Sequence, residues 1–156
     1  MAAAAKALRP TIRIIGVVAE QAPAYYLSWS KLTFDSDRDG ERMSGTVQNR
    51  KGAAVDTDSA NTIADGLAVR RPIALNVASI RALVDEVERV SEQEMLAAIA
   101  RLHFDEQVAA EPTGAAATAA WLKRGGPERT AVVLVTGMNI APDVMQAGLK
   151  YRKSEV

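Results

Sequence analysis

Two carboxylates stand where they could face a bound ligand or ion. Glu20 directly follows an apolar run, and Glu111 directly precedes Pro112 and an alanine-rich stretch. A carboxylate in front of a helix is stabilised by the partial positive charge of the helix N-terminus, so helix capping alone would explain Glu111. A polar side chain at the end of a strand would equally explain Glu20. Neither residue identifies a reaction by itself.

A denser group of carboxylates lies in a polar stretch, Leu32–Arg50. Its residues match the first, third, fifth and sixth positions of an EF-hand calcium loop: Asp35, Asp37, Asp39 and Gly40. The twelfth position is Thr46 rather than the bidentate glutamate, and Arg42 occupies the usually apolar eighth position. A solvated acidic turn would have the same composition. Calcium binding is therefore a hypothesis, and it would make this stretch a calcium-responsive module.

A third group of polar residues follows the apolar run Ala131–Val135. The order is Thr136, Gly137, Met138 and Asn139. Taken alone, it indicates a strand that ends at Thr136 and turns at the glycine. His103 is the only histidine and there is no cysteine, which excludes a disulfide, a thiolate nucleophile and a cysteine–zinc site.

The composition sets limits on the class of protein. The chain has 156 residues, which is the size of one domain, and we predict a single domain over 1–156 with 32–50 as a polar insertion. Lys plus Arg equals Asp plus Glu at 19 each, so no basic excess indicates nucleic acid or an anionic membrane. The alanine-rich start is not a convincing signal peptide, and no apolar run is long enough to span a membrane. The default expectation is a cytoplasmic protein.

Strand-like and helix-like segments alternate along the chain, which favours an α/β fold with a parallel sheet. Buried strands are predicted at Thr11–Ala19 and Ala131–Thr136, with a shorter one at Glu86–Val90. The predicted helices are Met1–Leu8, Pro23–Trp29, Ala74–Asp85, a helix behind the capping box Ser91–Glu94, and Gly114–Lys123. Two or three strands make a small sheet, so we expect a partial three-layer domain flanked by helices.

Four strings carry a resemblance to a known family. They are VVAEQAP at 17–23, NTIADGLAVRRP at 61–72, EPTGAAATAAW at 111–121 and TGMN at 136–139. Their order resembles the threonine dehydratase and serine racemase group of fold-type-II pyridoxal-phosphate enzymes. The resemblance covers nearly the whole chain except 32–50. It implies part of the tryptophan-synthase-β-like fold, with pyridoxal phosphate as cofactor and dehydration of serine or threonine to a 2-oxo acid and ammonia as the parent reaction.

The resemblance also assigns roles to particular residues. It implies that Thr136 faces the pyridine nitrogen, that Glu111 lies beside the ring, and that Gly137 and Asn139 belong to the loop lining that side of the pocket. In metal-activated members of the group, a glutamate matching Glu20 and a backbone carbonyl matching Ala24 help to bind a divalent cation. Tyr26 stands where the second carboxylate is expected, which leaves that cation without one oxygen ligand.

The departures from the family pattern concern the chemistry itself. The family's reactive lysine lies in a Ser-x-Lys-x-Arg-Gly string, and none of the six lysines here has that context. The loops for the substrate carboxylate and the cofactor phosphate are not recognisable either. The chain thus resembles the C-terminal part of the catalytic domain, and we assign no catalytic residue to it. We expect a homo-oligomer or a complementing chain, and the alternative is a non-catalytic remnant that serves as an oligomerising interaction module.

Overall fold

The computed structural model describes residues 1–30, 54–125 and 130–151. The predicted polar insertion Leu32–Arg50, with the calcium-loop candidates Asp35, Asp37 and Asp39, lies outside these ranges. The elements run in the order α1 (Ala2–Leu8), β1 (Ile15–Ala19), α2 (Ala24–Ser30), a single 3₁₀ turn (Asp65–Leu67), α3 (Ala74–Leu83), β2 (Glu86–Val90), α4 (Glu92–Asp105), α5 (Pro112–Lys123) and α6 (Pro142–Leu149). No helix in the described ranges is long and apolar enough to cross a membrane.

The two strands form a parallel pair in which Ile15 lies opposite Glu86 and Ala19 lies opposite Val90. The chain between them contains α2 and α3, as the crossover of a parallel pair requires. Helix α5 packs on one face of the pair, and α2 contacts β2 and α3. The predicted α/β class, with a small parallel sheet flanked by helices, is confirmed.

The core is built largely of small side chains. Met95 and Ile99 of α4 are fully buried, and they meet the alanines of α5: Ala115, Ala116, Ala119 and Ala120. Helix α6 packs on α4 through Gly148, where an added Cβ would lie 3.0 Å from Ile99 Cγ2. Small residues allow helix backbones to approach closely, so the alanine-rich α5 is a core element of this chain.

Helix α4 begins as its sequence predicts. Ser91 accepts a hydrogen bond from the amide of Glu94 at 3.2 Å, and the Glu94 carboxylate accepts from the Ser91 amide at 2.7 Å. Lys123 of α5 also contacts Glu94, at 3.3 Å. Burial opposes the charged form of Glu94, but the Ser91 amide and Lys123 outweigh it and hold the pKa of Glu94 below its ordinary value. The capping box therefore joins α4 to α5.

The predicted strand Ala131–Thr136 is wrong. This segment has no strand pairing in the structure, and Val132 is 83% exposed. A strand forms only where a neighbour satisfies its backbone donors and acceptors, and within the described ranges no third strand lies beside it. The β-branched sequence is necessary for a buried strand but does not supply the partner.

Candidate functional site

Glu111 stands at the N-terminus of α5, where the sequence predicted a helix to begin. Pro112 occupies the first turn, a position that tolerates proline because its amide would have no partner inside the helix. The Glu111 side chain does not cap the helix. Instead, the Glu111 amide donates to the carbonyl of Gly137 at 3.1 Å. Helix capping is thus not what occupies this carboxylate, and the residue is tied to the loop that follows the 131–136 segment.

Gly137 is held between Glu111 and Gly114 of α5. A Cβ on Gly137 would lie 2.6 Å from Cδ of Glu111, which is closer than real carbon atoms approach. A Cβ on Gly114 would lie 2.6 Å from the Gly137 carbonyl oxygen and 2.8 Å from its nitrogen. Both positions need glycine because backbone and carboxylate occupy the space that a side chain would take. We call these three residues the glycine junction.

The junction places the other predicted site residues. Thr136 and Asn139 flank it along the chain, and both are exposed, whereas Glu111 is half-buried. The sequence analysis did not single out Gly114. A glycine within a run of helix-forming alanines weakens the helix, so its presence there was a signal that another backbone approaches closely.

A second segment is tied to the same end of α5. The hydroxyl of Thr113 accepts a hydrogen bond from the amide of Gly66 at 3.0 Å, and the carboxylate of Glu92 accepts from the amide of Ile63 at 2.9 Å. These contacts attach the 3₁₀ turn and its TIADG string to the N-termini of α5 and α4. The sequence analysis gave this string a structural role, and it did not identify Thr113 or Glu92 as the residues that hold it.

The pair proposed for a divalent cation is not assembled as a site. Glu20 is exposed, and its amide donates to the carbonyl of Val90 at 2.8 Å. Ala24 is fully buried, and its carbonyl oxygen already accepts a hydrogen bond from the hydroxyl of Ser28 at 2.7 Å. In the part of the chain that the structure describes, no three acidic, histidine or cysteine side chains come together. The divalent cation therefore gains no support.

The groups at the junction suit one edge of a heteroaromatic cofactor. A hydroxyl (Thr136), a carboxylate (Glu111) and an amide (Asn139) can bind a ring nitrogen and its substituents. Pyridoxal phosphate needs such a partner at its nitrogen, because that contact tunes its capacity to withdraw electrons. Within the junction and its two neighbours there is no cationic side chain that could balance a phosphate. These residues fit the ring, and the phosphate would have to be bound elsewhere.

The comparisons with known proteins decide the family. A family model described as "Pyridoxal-phosphate dependent enzyme" matches residues 1–137 of this chain. The chain belongs to this family. The glycine junction lies at the end of the matched region, with Gly137 as its last residue.

Curated relatives and solved structures indicate the same group. The chain is 31% identical over 144 residues to the catabolic L-threonine dehydratase TdcB of Escherichia coli K12, covering 90% of this chain and 38% of the relative. It is 29% identical over 138 residues to an L-threonine ammonia-lyase of Thermotoga maritima, covering 88% of this chain and 29% of the relative. The chain spans about a third of the length of these relatives.

The fold of the family is shared as well. The structure resembles a bacterial threonine deaminase from T.th. with a TM-score of 0.72 and 27% identity, covering 90% of this chain and 44% of that one. It resembles maize serine racemase with a TM-score of 0.71 and 25% identity, covering 98% and 42%. The predicted resemblance to threonine dehydratases and serine racemases is confirmed.

Proposed function

We propose that this chain forms the ring-nitrogen side of the cofactor site in a pyridoxal-phosphate-dependent serine or threonine ammonia-lyase. The observation that carries the proposal is the glycine junction, which brings Glu111 and the segment after Thr136 to one place. Family membership and the named relatives support the reaction class. When bound, pyridoxal phosphate supplies the electron withdrawal that makes loss of the β-hydroxyl from the amino acid feasible.

The chain's own residues would contribute binding and orientation. The Thr136 hydroxyl would hydrogen-bond the ring nitrogen without protonating it, and Asn139 would line the same edge. Glu111 would border the ring while its amide holds Gly137 in place. None of these groups can anchor the cofactor covalently or take a proton from the substrate as the family's lysine does. A complementing chain would supply that lysine and the phosphate loop.

The experiment is fragment complementation. We expect the pure chain, mixed with pyridoxal phosphate and L-threonine or L-serine, to release no 2-oxo acid. Adding the segment of TdcB that precedes the region matched by this chain (the TdcB complement) should produce turnover. TdcB divided at the same boundary and recombined with its own remainder serves as the control for assembly.

The Thr136→Ala variant separates the ring contact from folding. It should lower the kcat of the complemented pair and change the absorption spectrum of the bound cofactor, because the group facing the ring nitrogen is lost. Thr130→Ala is the matched control, since this exposed threonine lies in the same segment and away from the junction. Steady turnover by the chain alone would contradict the proposal. So would a pair that co-purifies but releases no 2-oxo acid.

A further inference from the structure

A cleft of about 410 Å³ lies beside β1 on the α5 face of the sheet. Its walls come from three parts of the chain: the segment leading into and through β1, helix α5, and residues 130–133. The described contacts account for its walls but place nothing inside it. The identity of those walls indicates what would fit.

One wall is an edge of the sheet. Ile15 and Val17 line the cleft, whereas no residue of β2 does, so the cleft borders the edge of β1 that faces away from β2. In the described ranges β2 is the only strand paired with β1. Backbone groups on the other edge of β1 are consequently available to a further strand.

The opposite wall has the sequence of a strand without the pairing of one. Ala131, Val132 and Val133 line the cleft and begin the β-branched run that ends at Thr136. No backbone hydrogen bond joins 131–136 to another described residue, and the segment is mostly exposed. Only Gly137, immediately after the segment, is fixed by backbone pairing, through the Glu111 amide.

The floor of the cleft is α5. Ala117, Ala120 and Trp121 line it, and the two alanines leave space above the helix. A strand lying between β1 and 131–136 would place alternate side chains on this floor. Valine or isoleucine on that face would fill the space that the alanines leave, as in a buried parallel strand.

We propose that this cleft is a strand slot, and that its occupant is an extended apolar strand of the complementing chain in the proposed lyase. Only a strand offers donors and acceptors to both walls at once, which is the mode of recognition called strand addition. A second copy of this chain is a poorer occupant, because its 131–136 segment is already the wall of its own slot. The inference rests on the proposed function for the identity of the partner.

Hydrogen exchange of the full chain, with and without the TdcB complement, tests the slot. Binding should slow exchange at least about tenfold in both 15–19 and 131–136, since amides gain protection when they are paired and buried. Val133→Pro should abolish both the protection and co-purification, because proline has no amide to donate and fits poorly in a central strand. Val133→Thr, which keeps the amide and the β-branched shape, should bind like the unmodified chain.

Three results would overturn the proposal. The first is co-purification with 131–136 left unprotected, and the second is equal binding by the proline variant. The third is full protection of 131–136 in the chain alone at a concentration where it self-associates, which would make a second copy the occupant. Failure to bind, while the two parts of TdcB assemble, would also overturn it. Protection without turnover would contradict the lyase and leave the slot intact, so the two proposals fail separately.

Discussion

At the residue scale, two glycines bring the candidate site together. Gly114 and Gly137 are required because their neighbours are a backbone and a carboxylate that already occupy the Cβ positions. The chemistry-bearing residues Glu111 and Thr136 could be predicted from the sequence by resemblance. The contact that joins them could not, because hydrogen bonding and close approach between 111 and 137 depend on how two distant segments pack.

Gly114→Ala should be more harmful than a typical alanine substitution. Its Cβ would meet the backbone of Gly137, which cannot rotate away, so we expect a loss of about 1–3 kcal/mol of unfolding free energy, as for overpacked cores. The measurement is urea denaturation followed by circular dichroism. Gly16→Ala is the control, because its nearest side-chain atom lies at an ordinary 3.4 Å. Equal stability of the two variants would show that the junction opens without cost.

Asp85 predicts a dependence of stability on pH. Hydrogen bonds from Lys6 at 2.8 Å and from the Ile14 amide at 2.7 Å hold the pKa of Asp85 below its ordinary value of 3.8. A lowered pKa means that the contribution is complete above the unfolded value and is lost as the pH falls through the folded one. Asp85→Asn should therefore be less stable than the unmodified chain at pH 7, with the gap closing below about pH 3.

The comparison needs thermal denaturation of both proteins across this pH range. Asp105→Asn provides a matched control, since Asp105 pairs with Arg101 within one exposed helical turn and such pairs contribute little. A difference between Asp85→Asn and the unmodified chain that stays constant down to the lowest pH would show that the carboxylate's charge is not what stabilises this contact.

At the element scale, helix boundaries were predictable where local chemistry sets them. The capping box at Ser91 and the proline before α5 were read correctly, because both satisfy backbone groups within a few residues. Helix α6 was missed, although Pro142 marks its first turn in the same way. The exposed 131–136 segment was misassigned because a strand depends on a neighbour that the local sequence does not describe.

Removing the cap should have a measurable cost. Ser91→Ala should lower the free energy of unfolding by about 1 kcal/mol, the usual effect of losing an N-cap hydroxyl. Ser79→Ala is the matched control, since its hydroxyl bonds the carbonyl of Leu75 inside α3, an arrangement that adds little to helix stability. Chemical denaturation distinguishes the two, and an equal effect would mean that the box is not what starts α4.

At the scale of the whole molecule, the described surface carries apolar side chains that a monomer rarely exposes together. Val132 is 83% exposed and Met138 is 69% exposed, and Leu75 of α3 is 74% exposed. Exposed apolar patches and open strand edges favour association. We therefore predict a dimer or larger assembly at micromolar concentration, measured by light scattering. A monomer across that range would contradict the expectation of an oligomer.

The sequence by itself determined the elements whose cause is local and the family to which they belong. The periodic apolar positions of α4, the β-branched run of β1 and the four short strings each carry their information within a few neighbouring residues. Only the tertiary structure decided that Gly114 admits Gly137, that Thr113 and Glu92 hold the TIADG segment, and that 131–136 is a wall of a cleft instead of a paired strand. These outcomes depend on contacts between segments far apart in the chain, where burial and hydrogen bonding are settled by packing.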